Sequence, residues 1–232
     1  MAYAKIIDID DPGYFRLKSI DQSQLKQFLK NPADWAYHRL NDDHKPTDAM
    51  KFGTAFHAYL LGTSDVVSLP EGESFRSKDN QKWRDEQLEA GNIIVSYNDM
   101  QLLKRMKEGI EQTSLMPEYP DYMEIIEQGT KEQCIEWKDR QTGLMLKAKP
   151  DLIPVGTDYL VDLKTAQKAD AESFAKEVIN YGYHIQTVFY RAAVAACKPG
   201  RLRPWVQAPS DHAILGVREI RCLRLAAVQH QR

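Results

Sequence analysis

"KAKPDLIPVGTDYLVDLKTA", Lys147–Ala166, reads as two short apolar strands around a turn, yet it carries Asp151, Asp162 and Lys164. Side chains on a strand alternate faces. In "YLVDLK", Tyr159, Val161 and Leu163 face one way, and Leu160, Asp162 and Lys164 face the other. A symmetric turn centred on Gly156-Thr157, of the type II′ kind that accepts Gly first, pairs Ile153 with Leu160. The same register sets Asp151 opposite Asp162, and Lys149 opposite Lys164. Opposed residues have Cβ atoms about 4.5–5.5 Å apart, so two carboxylates there repel unless something positive lies between them. Pro150 cannot donate to a ladder and marks a strand end or bulge beside Asp151.

Two readings of this hairpin stand side by side. Two carboxylates near a lysine suit a hard cation, because Mg2+ takes oxygen ligands and bridges one or two carboxylates to phosphates. The lysine then adds a point charge and a proton donor. The plainer reading is an exposed face on which Lys149 and Lys164 screen two surface aspartates, where repulsion is only about 1 kcal/mol at 4 Å in water.

Working outward, the chain before the hairpin is helical. "SIDQSQLKQFLKNP" has a Ser/Asp start, apolar Leu25, Phe28 and Leu29, and a stop at Asn31-Pro32. Asp34 to Leu40 predicts a short helix. "DAMKFGTAFHAYLLG" carries a helical stripe of Met50, Ala55, Phe56, Tyr59 and Leu60 that stops at Gly62. "VVSLPEGESFRSK" reads as loop, and helices are expected over Asn80–Ala90 and Asn98–Ser114. From Pro117 the pattern changes. "YMEIIEQ", "EQCIEWKD", "LMLKAKPDLI" and "DYLVDLKT" read as strands of an antiparallel meander, separated by "GTK", "RQTG" and "VGT". Helices resume over Ala169–Ile179 and Gly182–Ala196. Helices, meander and helices again predict an α/β layered domain.

With 232 residues, one large soluble domain is expected, mainly helical over 1–115, with sheet and helices over 116–197 and an atypical tail over 198–232. No apolar run approaches the ~20 residues of a membrane helix. The acidic start "MAYAKIIDIDDPGYF" lacks the features of a signal peptide. Cys134, Cys197 and Cys222 are scattered and odd in number, which suggests neither a disulfide framework nor zinc and fits a reducing cytoplasm. The net charge is −2, but residues 198–232 hold seven Lys or Arg against Asp211 and Glu219, which makes the tail +5 and the remainder −7. An acidic body with local basic patches is compatible with a nucleic-acid partner, since only the contacting surface must be positive. No Gly-rich P-loop and no Gly-x-Ser-x-Gly elbow is present.

Pro150-Asp151 followed by Asp162-Leu163-Lys164 resembles the PD-(D/E)XK nuclease superfamily. "FGTAFHAYLL", with His57, and "YGYHIQTVFY", with Gln186 and Tyr190 one helical turn apart, resemble its RecB-like branch. "SQLKQFLKNPADW" and "TGLMLKAKPDLI" look like the phage-type RecE, lambda-like alkaline exonucleases. The resemblance spans about Ser19 to Ala196. It implies a restriction-endonuclease-like core, a mixed central sheet flanked by helices behind an N-terminal helical region. It implies Asp151, Asp162 and Lys164 as catalytic residues. One or two Mg2+, with Mn2+ able to substitute, would be held by Asp151, Asp162, the Leu163 backbone carbonyl and His57. Gln186 and Tyr190 would contact substrate, with Tyr183 on the same side. The activity implied is degradation of linear double-stranded DNA from its 5′ end, leaving a 3′ single strand for recombination. A single-strand annealing recombinase partner, a ring-shaped homo-oligomer, no membrane association, and a phage or prophage origin in a bacterial cytoplasm go with it.

Each residue keeps a plainer alternative. His57 has apolar helical neighbours, as a packed core histidine does. Gln186 and Tyr190 are also what a helix interface holds. Arg76, Lys78, Lys82 and Arg84 are candidates for phosphate contact, and Trp83 or Tyr97 for base stacking, but such mixtures also form solvated helix faces. Glu124 and Glu136 are either cleft or solvated strand residues. The tail does not resemble the family's ending, although "AILGVREI" fills the place of a returning strand. The rival activities are a PD-(D/E)XK endonuclease or repair nuclease, and a non-catalytic DNA-binding assembly subunit.

Overall fold

A computed structural model describes residues 4–41, 46–117, 119–166, 168, 170–197 and 220–226, the last stretch as backbone only. The chain opens with β1 (Ala4–Ile7), α1 (Asp11–Arg16), α2 (Gln22–Lys30) and α3 (Pro32–Asn41). Next come α4 (Asp48–Leu61), β2 (Val66–Val67), α5 (Lys78–Glu89), β3 (Ile93–Ile94), α6 (Tyr97–Ser114) and α7 (Tyr122–Gln128). Then follow β4 (Thr130–Lys131), β5 (Cys134–Lys138), β6 (Met145–Ala148), β7 (Leu152–Ile153) and β8 (Leu160–Ala166). Helices α8 (Ala171–Asn180) and α9 (Tyr183–Cys197) and strand β9 (Ile220–Ala226) close the order.

Most helices start where the sequence supplies an acceptor for an orphan N–H. Asp21, Thr47, Ser77, Ser96 and Asp170 each accept from the backbone N–H three residues on, a bond of about 1 kcal/mol per cap. Helix α4 stops at Gly62, whose φ of 67° and N–H to the Ala58 carbonyl form the left-handed terminus that glycine adopts without strain.

Four local expectations are corrected. "YMEIIEQ" is helix α7, not a strand: the Asp121 carboxylate accepts from the Glu124 N–H at 2.9 Å, and that cap starts a helix where alternation alone suggested a strand. "LMLKAKPDLI" is two strands, β6 and β7, because Pro150 cannot donate to the ladder and ends the first. "GTK" contains strand β4, and "VVSLPEGESFRSK" begins with β2. The N-terminus, read only for targeting signals, forms β1 and α1. "AILGVREI" lies outside the described residues except for Ile220, where β9 starts.

The meander consequently divides. β6 pairs antiparallel with β5, and β5 with β1, in a three-stranded sheet of order β1-β5-β6. β7 belongs to a second sheet of order β4-β7-β8-β9. The β7–β8 register is Leu152 opposite Val161, as the symmetric hairpin requires. Its connection is looser than a two-residue turn: the strands end at Ile153 and resume at Leu160, and Gly156 has a φ of 69°.

The described chain forms two compact units. One draws on 1–44, 128–162 and 170–223, the other on 45–127, 163–169 and 224–232. In the first, α9 covers β5 and β6, burying Ile135, Trp137, Ala148, Ile153, Leu160, Phe189, Tyr190, Ala193 and Val194 together. The Phe189 ring meets Trp137 edge-on at 5.0 Å. Burying each large side chain here stabilises the fold by about 1.5–3 kcal/mol. Leu25 joins this core, whereas Phe28 and Leu29 of the same expected stripe are exposed. In the second unit, α4 and α6 bury Ala55, Phe56, Leu60, Leu61, Met100, Leu103, Met106 and Ile110, and β2 pairs in parallel with β3. Among the described residues, no helix is long and apolar enough to cross a membrane.

Candidate metal centre

Strand β8 is buried from Leu160 to Leu163 and half-buried from Lys164 on. A seven-residue strand buried on both faces normally reads as unbroken Val, Ile and Leu. Here its third residue is Asp162, only 3% exposed. Asp151, 8% exposed, follows the buried Pro150 in the link between β6 and β7 and precedes Leu152, whose partner across the ladder is Val161, the residue before Asp162. The aspartates are therefore buried, which removes the reading of two solvated residues screened by lysines. Lys149 is also turned elsewhere: its ammonium bonds the Asp11 carboxylate and lies 3.8 Å from that of Glu132.

Helix α9 supplies the neighbours of this carboxylate pair. Gln186 is buried and donates from Nε2 to Asp162 Oδ1 at 2.9 Å. Tyr190, one turn later, is also buried. Burial, and then the charges of Asp151 and Asp162, push its hydroxyl well above the usual tyrosine range, so it stays protonated, although its bond with Gln186 acts the other way. Asp151, Asp162, Gln186 and Tyr190 are thus one buried polar group within the first unit. Gln186 and Tyr190, expected to meet substrate, face the carboxylates.

In the second unit, His57 of α4 meets the Leu163 carbonyl through Nε2 at 3.0 Å. One turn earlier Gly53 faces Thr165, whose Oγ1 would lie 3.7 Å from an added Cβ. Helix α4 therefore runs beside the second half of β8 with its small residue and its histidine toward the strand. Lys164 stands two residues after Asp162 on the same strand, half-buried.

The remaining candidates sit apart from such groups. Arg76 and Lys78 are exposed. Lys82 pairs with Glu86 at 3.7 Å, and Arg84 bonds Asp85 at 2.7 Å, the pattern of a solvated helix face. Trp83 and Tyr97 are partly buried. Tyr183 stacks on Tyr181 at 5.8 Å. Glu124 is exposed on helix α7 rather than on a strand. Glu136 is buried, bonded by the Ser19 hydroxyl and paired with Lys5 at 3.2 Å.

Sequence reasoning missed two residues beside this centre. Tyr14 of α1 is buried, and Lys147 of β6 is fully buried with its ammonium near the Tyr14 ring. The signal available was an apolar "GYF" after Asp10-Asp11-Pro12, an N-terminal helix start.

A family profile described as a PDDEXK-like domain of unknown function (DUF3799) matches residues 21–220. No curated protein matches the chain.

Proposed function

The chain belongs to this PDDEXK-like family; from that membership we propose that it is a divalent-metal-dependent nuclease, and from its sequence motifs that it digests linear double-stranded DNA from the 5′ end. The observation that carries the reading is the two buried carboxylates, Asp151 and Asp162, on either side of the paired Leu152 and Val161. A carboxylate taken out of water carries a penalty of several kcal/mol, which a bound cation offsets.

The donor set suits Mg2+. Carboxylate and carbonyl oxygens are hard ligands, and Mg2+ characteristically uses one or two carboxylates and leaves its other positions to water and phosphate. Among the described residues, no three or more His, Cys, Asp or Glu side chains are grouped so as to hold an ion, so His57, Asp151 and Asp162 are not brought together as the expected ligand set. Asp151, Asp162 and the Leu163 carbonyl would hold the ion. His57 Nε2 lies within hydrogen-bond distance of the Leu163 oxygen, at 3.0 Å. His57 would orient that carbonyl by donating to it.

When bound, the cation polarises a phosphoryl oxygen and makes its water more acidic. The other work belongs to side chains. Gln186 fixes the Asp162 carboxylate. Tyr190 stays neutral and adds no third negative charge. Lys164 accompanies Asp162 on the strand, supplies positive charge to the phosphoryl group as negative charge grows, and handles the proton of the attacking water. Polarity, end dependence, a cyclic assembly and a strand-annealing partner rest on the four sequence blocks. The non-catalytic alternative draws on the atypical basic tail over 198–232.

Incubation of the purified chain with a 5′-phosphorylated linear duplex, and with the same DNA as a closed circle, in Mg2+ or EDTA, separates these readings. Mg2+-dependent loss of only the linear form is expected. Cutting of the circle would replace the exonuclease with an endonuclease. Mg2+-independent binding without cleavage would leave the assembly subunit.

A further inference from the structure

The strand that leads into Asp151 is gripped from one side at alternate residues, and most of that grip comes from a segment ahead of the matched family region. Lys147 is 0% exposed. Its ammonium donates to the carbonyls of Tyr14 at 2.8 Å and Leu17 at 3.1 Å, at the C-terminal end of α1, where the helix dipole favours a cation and the Tyr14 carbonyl also accepts from the Leu17 N–H. The ammonium lies 4.6 Å from the Tyr14 ring centre, and that of Lys149 lies 6.0 Å from the same ring. Asp21 is the nearest paired carboxylate, 3.9 Å from the Lys147 nitrogen. The Lys147 N–H donates to the Ile20 carbonyl at 2.9 Å, so both backbone and side chain of this residue bind the N-terminal segment.

Two residues on, Lys149 bonds Asp11 of the same helix and approaches Glu132. Two further on, the Asp151 carbonyl accepts from the Glu132 N–H at 2.9 Å. Glu132 has a φ of 44°, the left-handed backbone that non-glycine residues rarely adopt and that persists where surroundings hold it. Thus Lys147 and Lys149 are tied to α1, and Asp151, beyond Pro150, is tied through its carbonyl to Glu132. A fully buried ammonium on a strand is expensive to desolvate, and an apolar residue would fill the place without that penalty. Its use is the directed hold on two carbonyls that an apolar residue cannot make.

We propose that Lys147 is a positioning residue: by pinning α1 against β6 it sets the path of 149–151 and so the placement of the Asp151 carboxylate, which makes residues 11–17 part of the metal centre although they precede the family match. This inference rests on the nuclease reading for its metal, but its backbone consequence does not.

The test compares full-length wild type, Lys147→Met, Lys149→Met, Asp151→Asn and, as a remote destabilised control, Leu103→Ala. Each is read three ways without DNA: thermal melting, Mn2+ affinity by calorimetry, and hydrogen exchange of the Glu132 amide. Lys147→Met is expected to weaken Mn2+ about tenfold or more, the range for residues that orient metal ligands, and to lower Glu132 amide protection. Leu103→Ala should lower the melting temperature and change neither. If Lys147→Met fails to fold, Lys149→Met carries the same two expectations from a partly solvated position. A lowered melting temperature with unchanged Mn2+ affinity and unchanged Glu132 protection would overturn the proposal. Absence of Mn2+ binding by wild type, equal to Asp151→Asn, would overturn the metal reading instead, and the Glu132 amide would still decide the positioning role.

Discussion

Replacing Gln186 by leucine tests the carboxylate centre without touching a proposed ligand. The side chains are close in volume, so little cavity is made, and the change removes the donor to Asp162 at 2.9 Å together with the bond to the Tyr190 hydroxyl. A hydrogen bond to a charged group contributes about 1.5–3 kcal/mol, and the penalty is largest when the abandoned partner is buried, as Asp162 is. Leucine returns part of this through apolar burial. A net loss of about 2 kcal/mol is expected in EDTA, which for a chain of this length lowers the melting temperature by about 4–8 °C. With Mg2+ present the cation takes over the charge that Gln186 served, so the gap between variant and wild type should shrink to less than about 1 kcal/mol, since the ligand stabilises whichever folded state binds it. Paired urea melts of both proteins, in EDTA and in Mg2+, measure this directly. Equal destabilisation under both conditions would refute the link between Gln186, Asp162 and a cation. So would an undiminished stability of the variant in EDTA.

Three further outcomes are expected. Asp162→Ala or Lys164→Ala should abolish Mg2+-dependent cleavage while the far-ultraviolet circular dichroism stays native; residual wild-type turnover in either would remove that residue from catalysis. His57→Leu deletes the 3.0 Å bond to the Leu163 carbonyl and should weaken Mn2+ binding by about tenfold, on the scale seen when the orientation of a metal ligand is lost; an unchanged affinity would return His57 to the packed core. Because Tyr190 is pushed well above its ordinary value in the fold by burial and two carboxylates, it favours folding below pH ~10, and that contribution is lost as pH rises beyond, at about 1.4 kcal/mol per pH unit per group. Stability should thus fall less steeply above pH 10 in Tyr190→Phe than in wild type, read from melts alongside tyrosinate absorbance.

The parts of the site legible in sequence were those fixed by period and by turn symmetry. Alternation placed Asp162 and Lys164 on one face, and the pairing of 153 with 160 predicted the Leu152–Val161 register. Helical spacing put Gln186 and Tyr190 on one side of α9, and both do face the carboxylates. Depth was not legible: the same hairpin fits a solvated face, and only the covering by α9 decides against it. Caps competing with alternation were misjudged, since Asp121 outweighed the strand pattern of "YMEIIEQ".

Lys147 shows the harder limit. Its partners are backbone carbonyls about 130 positions away, and a carbonyl has no residue type, so no pattern in the sequence can announce it. A lysine in an alternating strand looks like a solvent-facing residue by default. The same ambiguity hid α1, whose Tyr14 is a short apolar interruption in an acidic stretch. What distinguishes these residues is the energetic oddity of a buried ammonium and a left-handed Glu132, both meeting within five residues of Asp151 along the strand or across it. Local departures from the rules of burial and backbone geometry gather where a chain holds chemistry in place, and here they surround Asp151 more closely than Asp162, whose position in a long buried strand is already determined by its ladder.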